Sequence, residues 1–346
     1  MKILLTFNES YAPHAAAVIT GLIEHASGPL SISILYTELK DDTINSIKNY
    51  YKEKLSSIDF HKVELDETFV NALLKVKGQK HLAGRIETYL RLFAQRYVND
   101  DDVIYLDCDI VINGDIKRLM DEVCRDYYVC AVKEYDPYYK KTNLNNMNTW
   151  TTPHSYYNAF VRDALFTRFR QYCGQSIELP YLCAGIMYMN LKKWREDDLL
   201  GKILKAINEQ KTFYFADQDL LNYVTCGRFG SLHPKWNHFV TYFGLTTGYT
   251  SDEIKEATIN PMIIHMAGKD KPWSEGGGIY KQLYWNYRLR GPWPENKYNE
   301  QEKICNKALL FAKRLKHYII KKTSNKKEES RTSSIEWEWN EIYIRE

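Results

Sequence analysis

Four short stretches of this chain carry side chains suited to metal and phosphate chemistry. Asp107-Cys108-Asp109 directly follows the apolar run Val103-Ile104-Tyr105-Leu106. Two carboxylates at the carboxyl end of a strand can bind a hard divalent cation, and Mg²⁺ or Mn²⁺ held this way bridges to phosphate oxygens. The triplet alone is weak, because the chain also contains Asp100-Asp101-Asp102 and Asp217-Gln218-Asp219. Asp100–Asp102 reads as a solvated turn. Position at a strand end is what sets Asp107 and Asp109 apart.

The second stretch is His265-Met-Ala-Gly268-Lys269-Asp-Lys271-Pro-Trp273, after the apolar pair Ile263-Ile264. A neutral imidazole can ligate a metal. Gly268 permits close backbone approach, and Lys271 supplies a charge for phosphate. Taken alone, these residues also fit a structural histidine and a surface lysine. The third, Ala216-Asp217-Gln218-Asp219, opens a helical run, where an aspartate is equally an ordinary N-cap. The fourth, Tyr181 to Asn190, reads as a strand whose small residues Cys183, Ala184 and Gly185 leave room for a ligand or for a tight packing corner.

These residues need a scaffold, and the spacing of apolar residues supplies one. Lys2–Phe7, Leu30–Tyr36 and Val103–Leu106 have the length and content of buried strands, with a further strand at His61–Leu65. Ala12–His25, a stretch from Asp41 or Asp42 to Tyr51, and Glu87–Tyr97 carry helical stripes. Repeated β-α-β order predicts an α/β fold with a parallel, doubly wound sheet, and ligands bind such sheets beyond the carboxyl ends of the strands. The polar, aromatic stretch 135–157 has no clear period. It contains Tyr138, Tyr139, Trp150 and His154, which suit an acceptor lid as well as an exposed loop.

Charge divides the chain. The 346 residues include 47 Lys or Arg and 44 Asp or Glu, a net of +3. Nine of the basic residues lie between Lys303 and Lys327, with no acid among them. Without them, 38 basic residues face 44 acidic ones, a net of −6. Taken whole, the small net charge of +3 argues weakly against a dedicated nucleic-acid binder. The basic segment carries Ile304, Ala308, Phe311, Leu315, Tyr318 and Ile319 on one helical stripe. That pattern suits an anionic membrane surface, or a helix packed on the body with a solvated lysine face. We divide the chain into a 1–295 body and a 296–346 basic amphipathic segment. Seven cysteines, none spaced C-x-x-C, fit a reducing cytosol without a disulfide framework. No stretch reaches 18 apolar residues, so no transmembrane helix is expected. The cysteine spacing and the basic segment together predict a cytoplasmic protein, peripheral on the inner face of the membrane.

In this order and spacing, the four stretches resemble glycosyltransferase family 8, which includes bacterial lipopolysaccharide galactosyl- and glucosyltransferases and glycogenin. The resemblance runs from Met1 to about Trp273. It implies the GT-A type of fold, a Rossmann-like nucleotide-sugar-binding sandwich, here with a C-terminal basic helical appendage. It implies retaining transfer of a galactose or glucose from a UDP-hexose to a saccharide or lipid-linked glycan. Asp107, Asp109 and His265 would hold Mn²⁺ or Mg²⁺, with Cys108 inside the D-x-D turn at the donor. Lys271 and the Gly268 backbone would meet the diphosphate. Thr6, Phe7, Asn8 and Tyr11 would cradle uracil and ribose, Arg91 would reach the donor, and Cys183 and Ala184 would line the sugar pocket. Asp217 would bond the sugar hydroxyls, with Gln218 near the anomeric carbon. Lipopolysaccharide members read Ala-Ala-Asp where this chain has Thr6-Phe7-Asn8, and Asn-Ala-Gly where it has Cys183-Ala184-Gly185.

Two other function classes use similar parts. A nucleotidyl- or phosphotransferase also pairs aspartates with a divalent metal, but the chain has no Walker A or kinase-like glycine-rich loop. A non-enzymatic carbohydrate-binding protein would have no need of Asp107, Asp109, His265 and Lys271 together.

Overall fold

The computed structural model describes residues 1–65, 67–75, 86–133, 181–209, 216–239, 249–267, 271–274 and 279–294. Strands β1 (Lys2–Thr6), β2 (Ser31–Tyr36), β3 (Ser57–Lys62) and β4 (Val103–Leu106) run parallel. A short β5 (Ile110–Ile112) follows β4, and then come β6 (Val129–Lys133), β7 (Leu182–Met189) and β8 (Gly230–Ser231). The main sheet has the order β3-β2-β1-β4-β7-β6-β8. Only β7 runs against its neighbours β4 and β6. A second sheet places β10 (Ile263–His265) between β5 and β9 (His238–Phe239). This is the mostly parallel, doubly wound α/β architecture that the sequence predicts.

The helices cover both faces. They are α1 (Ala12–His25), α2 (Asp41–Tyr51), α3 (Glu67–Lys75), α4 (Glu87–Leu90), α5 (Ala94–Tyr97), α6 (Leu191–Glu196), α7 (Leu199–Glu209), α8 (Ala216–Thr225), α9 (Ser251–Ile259) and α10 (Ile279–Leu289). Alternate strand residues serve opposite cores. Leu4, Tyr105 and Met187 pack with α3 to α8, whereas Leu5, Leu106 and Ile186 pack with α1 and α2. Strands buried on both faces must be apolar throughout, which is why β1 and β4 are legible as continuous apolar runs.

Two expectations shift. The third strand occupies Ser57–Lys62 and not His61–Leu65. Its residues alternate polar and apolar and are mostly half-buried because β3 is the sheet edge, and pairing with β2 from Ser31–Ser57 to Tyr36–Lys62 sets its limits. The Glu87–Tyr97 helix is α4 and α5 joined by a 3₁₀ turn at Arg91–Phe93. Cys108, Cys124 and Cys130 are free thiols, but Cys226 is disulfide-bonded, a departure from the fully reduced chain that the cysteine spacing predicts. No helix among the described residues is long and apolar enough to cross a membrane. The 135–157 stretch, Gly268 and the whole basic segment lie outside the described residues.

Candidate active site

The D-x-D turn is the junction between the two sheets. Leu106 ends β4 and pairs with Ile186, and Asp107 N–H extends that ladder by donating to Gly185 O at 2.8 Å. Three residues later, Ile110 begins β5 opposite His265 of β10. Asp109 O accepts from Met266 N–H at 3.1 Å. Each carboxylate is therefore fixed by backbone pairing to a different sheet. Between them Cys108 is buried, with its thiol aimed at Thr6 O. Burial pushes that thiol pKa well up, so Cys108 is a neutral plug that ties the turn to the end of β1.

Asp107, Asp109 and His265 offer ligand atoms that all lie within 4.8 Å of one another. His265 Nε2 is 3.2 Å from Asp109 Oδ1 and 3.8 Å from Asp107 Oδ2. His265 Nδ1 lies 2.9 Å from Asn237 Oδ1, which accepts from Nδ1–H and turns Nε2 toward the two carboxylates. Gly185 forms the floor. A Cβ there would come within 2.3 Å of His265 Cε1 and 3.0 Å of Asp107 Oδ2. Two hard oxygen donors and one imidazole nitrogen fit Mn²⁺ well and Mg²⁺ less well. Lys271 Nζ donates to Asp109 Oδ2 at 2.5 Å. Burial by itself raises the Asp109 pKa, but His265 and Lys271 outweigh it and hold the carboxyl well below the usual range.

A second group of charges adjoins the first. Arg91, only 5% exposed, donates to Asp107 Oδ1 at 2.8 Å and to Ala184 O at 2.7 Å, and its Nε lies 3.2 Å from Asp217 Oδ2. Burial acts to neutralise Arg91, and the two aspartates more than reverse this. Asp217 is 3% exposed, and burial pushes its pKa up to about 7 despite Arg91. It follows Ala216, whose φ of 51° is a left-handed conformation that costs on the order of 1–3 kcal/mol and is typical of functional turns. Helix α8 is clamped to β7 by Asn222, which accepts from Leu182 N–H at 2.8 Å and donates to Leu182 O at 3.0 Å. Gln218 Oε1 accepts from Ala184 N–H at 3.0 Å, and its Nε2 donates to Tyr181 Oη at 3.3 Å.

At the end of β1, Thr6 reaches the site through Tyr105 and Cys108. Phe7 is buried in the core, so only its backbone faces the strand end. Asn8 Oδ1 accepts from Tyr11 N–H at 3.3 Å and caps the turn Glu9–Tyr11. Tyr11 meets the edge of Trp273 with ring centroids 5.5 Å apart, which brings the β1 end to the Lys271 segment. Cys183 is buried beside Ala184. The fold thus gathers the predicted residues that it describes. Sequence reasoning passed over Tyr105 and Asn237. Tyr105 had a signal, since strand alternation puts residues 105 and 107 on one side. Asn237 had none.

The chain is 23% identical over 308 residues to General stress protein A of Bacillus subtilis (strain 168), covering 85% of this chain and 94% of that protein. It is 25% identical over 237 residues to the Lipopolysaccharide 1,2-glucosyltransferase of Escherichia coli (strain K12), covering 67% of this chain and 61% of that protein. The crystal structure of the galactosyltransferase LgtC with donor and acceptor sugar analogs shares its fold. The TM-score is 0.62 at 19% identity, covering 87% of this chain and 98% of that one. The sequence model of glycosyl transferase family 8 matches residues 2–277. The chain therefore belongs to glycosyl transferase family 8, and it is a glycosyltransferase of the GT-A fold.

Proposed function

We propose that this glycosyltransferase moves a galactose or glucose from a UDP-hexose to a saccharide or lipid-linked glycan acceptor, with retention of configuration, in lipopolysaccharide or other surface-glycan synthesis. The observation that carries the proposal is the meeting of Asp107, Asp109, His265 and Lys271 at the carboxyl end of β4. The relatives named as lipopolysaccharide glucosyltransferase and galactosyltransferase support the sugar class.

Asp107, Asp109 and His265 are the residues that would hold Mn²⁺, with Mg²⁺ as the substitute. A bound divalent cation supplies Lewis-acid charge to the diphosphate as it leaves. Lys271 adds a second positive charge there, with the backbone at Gly268. The end of β1 at Thr6, Phe7 and Asn8, together with Tyr11, takes the base and ribose. Cys108, in the turn between the two carboxylates, contributes its backbone. Arg91 orients the donor while pairing Asp107 and Asp217. Cys183 and Ala184 border the hexose, and Asp217 bonds its hydroxyls.

Gln218 is a neutral amide whose carbonyl oxygen already accepts from Ala184 N–H. It suits dipolar stabilisation of an oxocarbenium-like state better than nucleophilic attack. Same-face attack follows, with the departing phosphate oxygen helping to deprotonate the acceptor hydroxyl. A covalent sugar adduct trapped on Gln218 or Asp217 would overturn that route. A panel of UDP-sugars incubated with Mn²⁺ ranks the donors by hydrolysis without knowledge of the acceptor. Release of UDP from galactose or glucose donors, lost in Asp109→Ala, is the expected result.

The 296–346 segment serves location in this reading, and its basic stripe at 303–327 meets an anionic membrane surface from the cytoplasmic side. Equal sedimentation of the full chain and a 1–300 truncation with anionic liposomes would refute this.

A further inference from the structure

Among the described residues, the hydrogen bonds to the Asp107 side chain converge on one oxygen. Tyr105 Oη donates to Oδ1 at 2.6 Å, and Arg91 Nη2 donates to the same oxygen at 2.8 Å. The other oxygen, Oδ2, is the one 3.8 Å from His265 Nε2 and above Gly185. A carboxylate oxygen has about two lone-pair sites, so two donors occupy Oδ1 and leave Oδ2 as the better metal donor. Rotation of the aspartate carboxylate about its last bond is soft, so without such donors either oxygen can turn inward.

Tyr105 is built for this task. It is 0% exposed, and the Arg91 guanidinium carbon lies 4.0 Å from its ring centroid. The hydroxyl spends its one proton on the hydrogen bond to Asp107 Oδ1. With that proton on Asp107, the hydroxyl oxygen accepts from Thr6 Oγ1 at 3.2 Å. Thr6 stands at the end of β1, so one hydroxyl links the strand end to a carboxylate of the D-x-D turn.

We propose that Tyr105 is a positioning residue of the metal centre, which fixes Asp107 with Oδ2 toward the cation and ties that orientation to Thr6. The inference rests on reading Asp107, Asp109 and His265 as metal ligands. Hydrogen bonds to a ligating carboxylate typically govern affinity by about 10- to 100-fold.

The test titrates Mn²⁺ into nucleotide-free full-length protein and reads free Mn²⁺ by electron paramagnetic resonance. It compares the native chain with Tyr105→Phe and Asp109→Ala, each gel-filtered and checked by thermal melting. Tyr105→Phe is expected to weaken Mn²⁺ binding about 10-fold or more, and saturating Mn²⁺ is expected to restore donor hydrolysis. A packing defect would not be rescued by the ion. Native-like Mn²⁺ affinity in Tyr105→Phe overturns the proposal. Native-like affinity in Asp109→Ala instead removes the metal reading itself, and this inference with it. If Tyr105→Phe does not fold, Thr6→Val keeps the hydroxyl but loosens it. A loss of about 3-fold, the scale of one weakened hydrogen bond, then supports the proposal, and no loss overturns it.

Discussion

Lys271 Nζ lies 2.5 Å from Asp109 Oδ2, a contact across 162 residues of chain that binds the segment after β10 to the D-x-D turn. The same carboxylate faces His265 through Oδ1 at 3.2 Å. A metal ion held by Asp109 would therefore compete with Lys271 for one side chain until a diphosphate offered the lysine another partner. We expect Lys271→Ala to lower kcat/KM for UDP-sugar hydrolysis about 100-fold, the scale of losing one preorganised charge. Nucleotide-free Mn²⁺ affinity is expected to hold or tighten. Weaker Mn²⁺ binding in that variant would show that Lys271 supports the site and does not compete for it.

Asp217 makes stability depend on pH in a recognisable direction. Its folded pKa is raised to about 7, against an ordinary carboxyl near 4. Between those values the folded, metal-free protein binds more protons than the unfolded chain, so this group's contribution falls as pH rises through the window. Asp217→Asn should therefore melt close to the native protein at pH 4 and increasingly above it toward pH 8. A difference that shrinks with pH would contradict the assignment. Activity should fall in the variant at every pH.

His14 acts on the opposite limb. Its ring stacks on Trp273 with centroids 3.6 Å apart at 11°, and its Nδ1 lies 2.5 Å from Tyr284 Oη. Burial, aided by repulsion from Arg288, lowers its pKa to about 4. The unfolded chain, with histidine near 6.5, then binds the extra proton between pH 4 and 6.5, so stability is lost as pH falls through that range. His14→Phe keeps a stacking ring that cannot titrate. Its melting temperature should lose less between pH 7 and 5 than the native protein's, by roughly 2–4 °C.

Gly185 is where the fold leaves no room. Gly185→Ala puts a methyl 2.3 Å from His265 Cε1 and 2.9 Å from its Nδ1, so the imidazole must leave Asn237 or the strand must shift. We expect a stability cost of about 1–3 kcal/mol, the range for overpacking, together with loss of measurable Mn²⁺ binding. Retention of native Mn²⁺ affinity would mean that His265 does not need its present orientation.

Much of this protein was legible in one dimension. Continuous apolar runs marked β1 and β4 because strands buried on both faces tolerate little else. Asp107, Asp109, His265 and Lys271 sit in contiguous motifs whose residue types carry their chemistry with them. The edge strand β3 lies four residues earlier than the sequence predicts, because its alternation rests on only Ile58 and Phe60 and its limits come from pairing with β2. Tertiary structure alone decided the antiparallel insertion of β7 between β4 and β6, which sets Gly185 under the metal cluster. It also decided that Arg91 joins Asp107 to Asp217 and that Asn237 orients the ring of His265. Those partners lie 16 to 126 residues apart. Local periodicity reports the face that a residue must bury, and only packing of distant segments determines which polar atoms then meet.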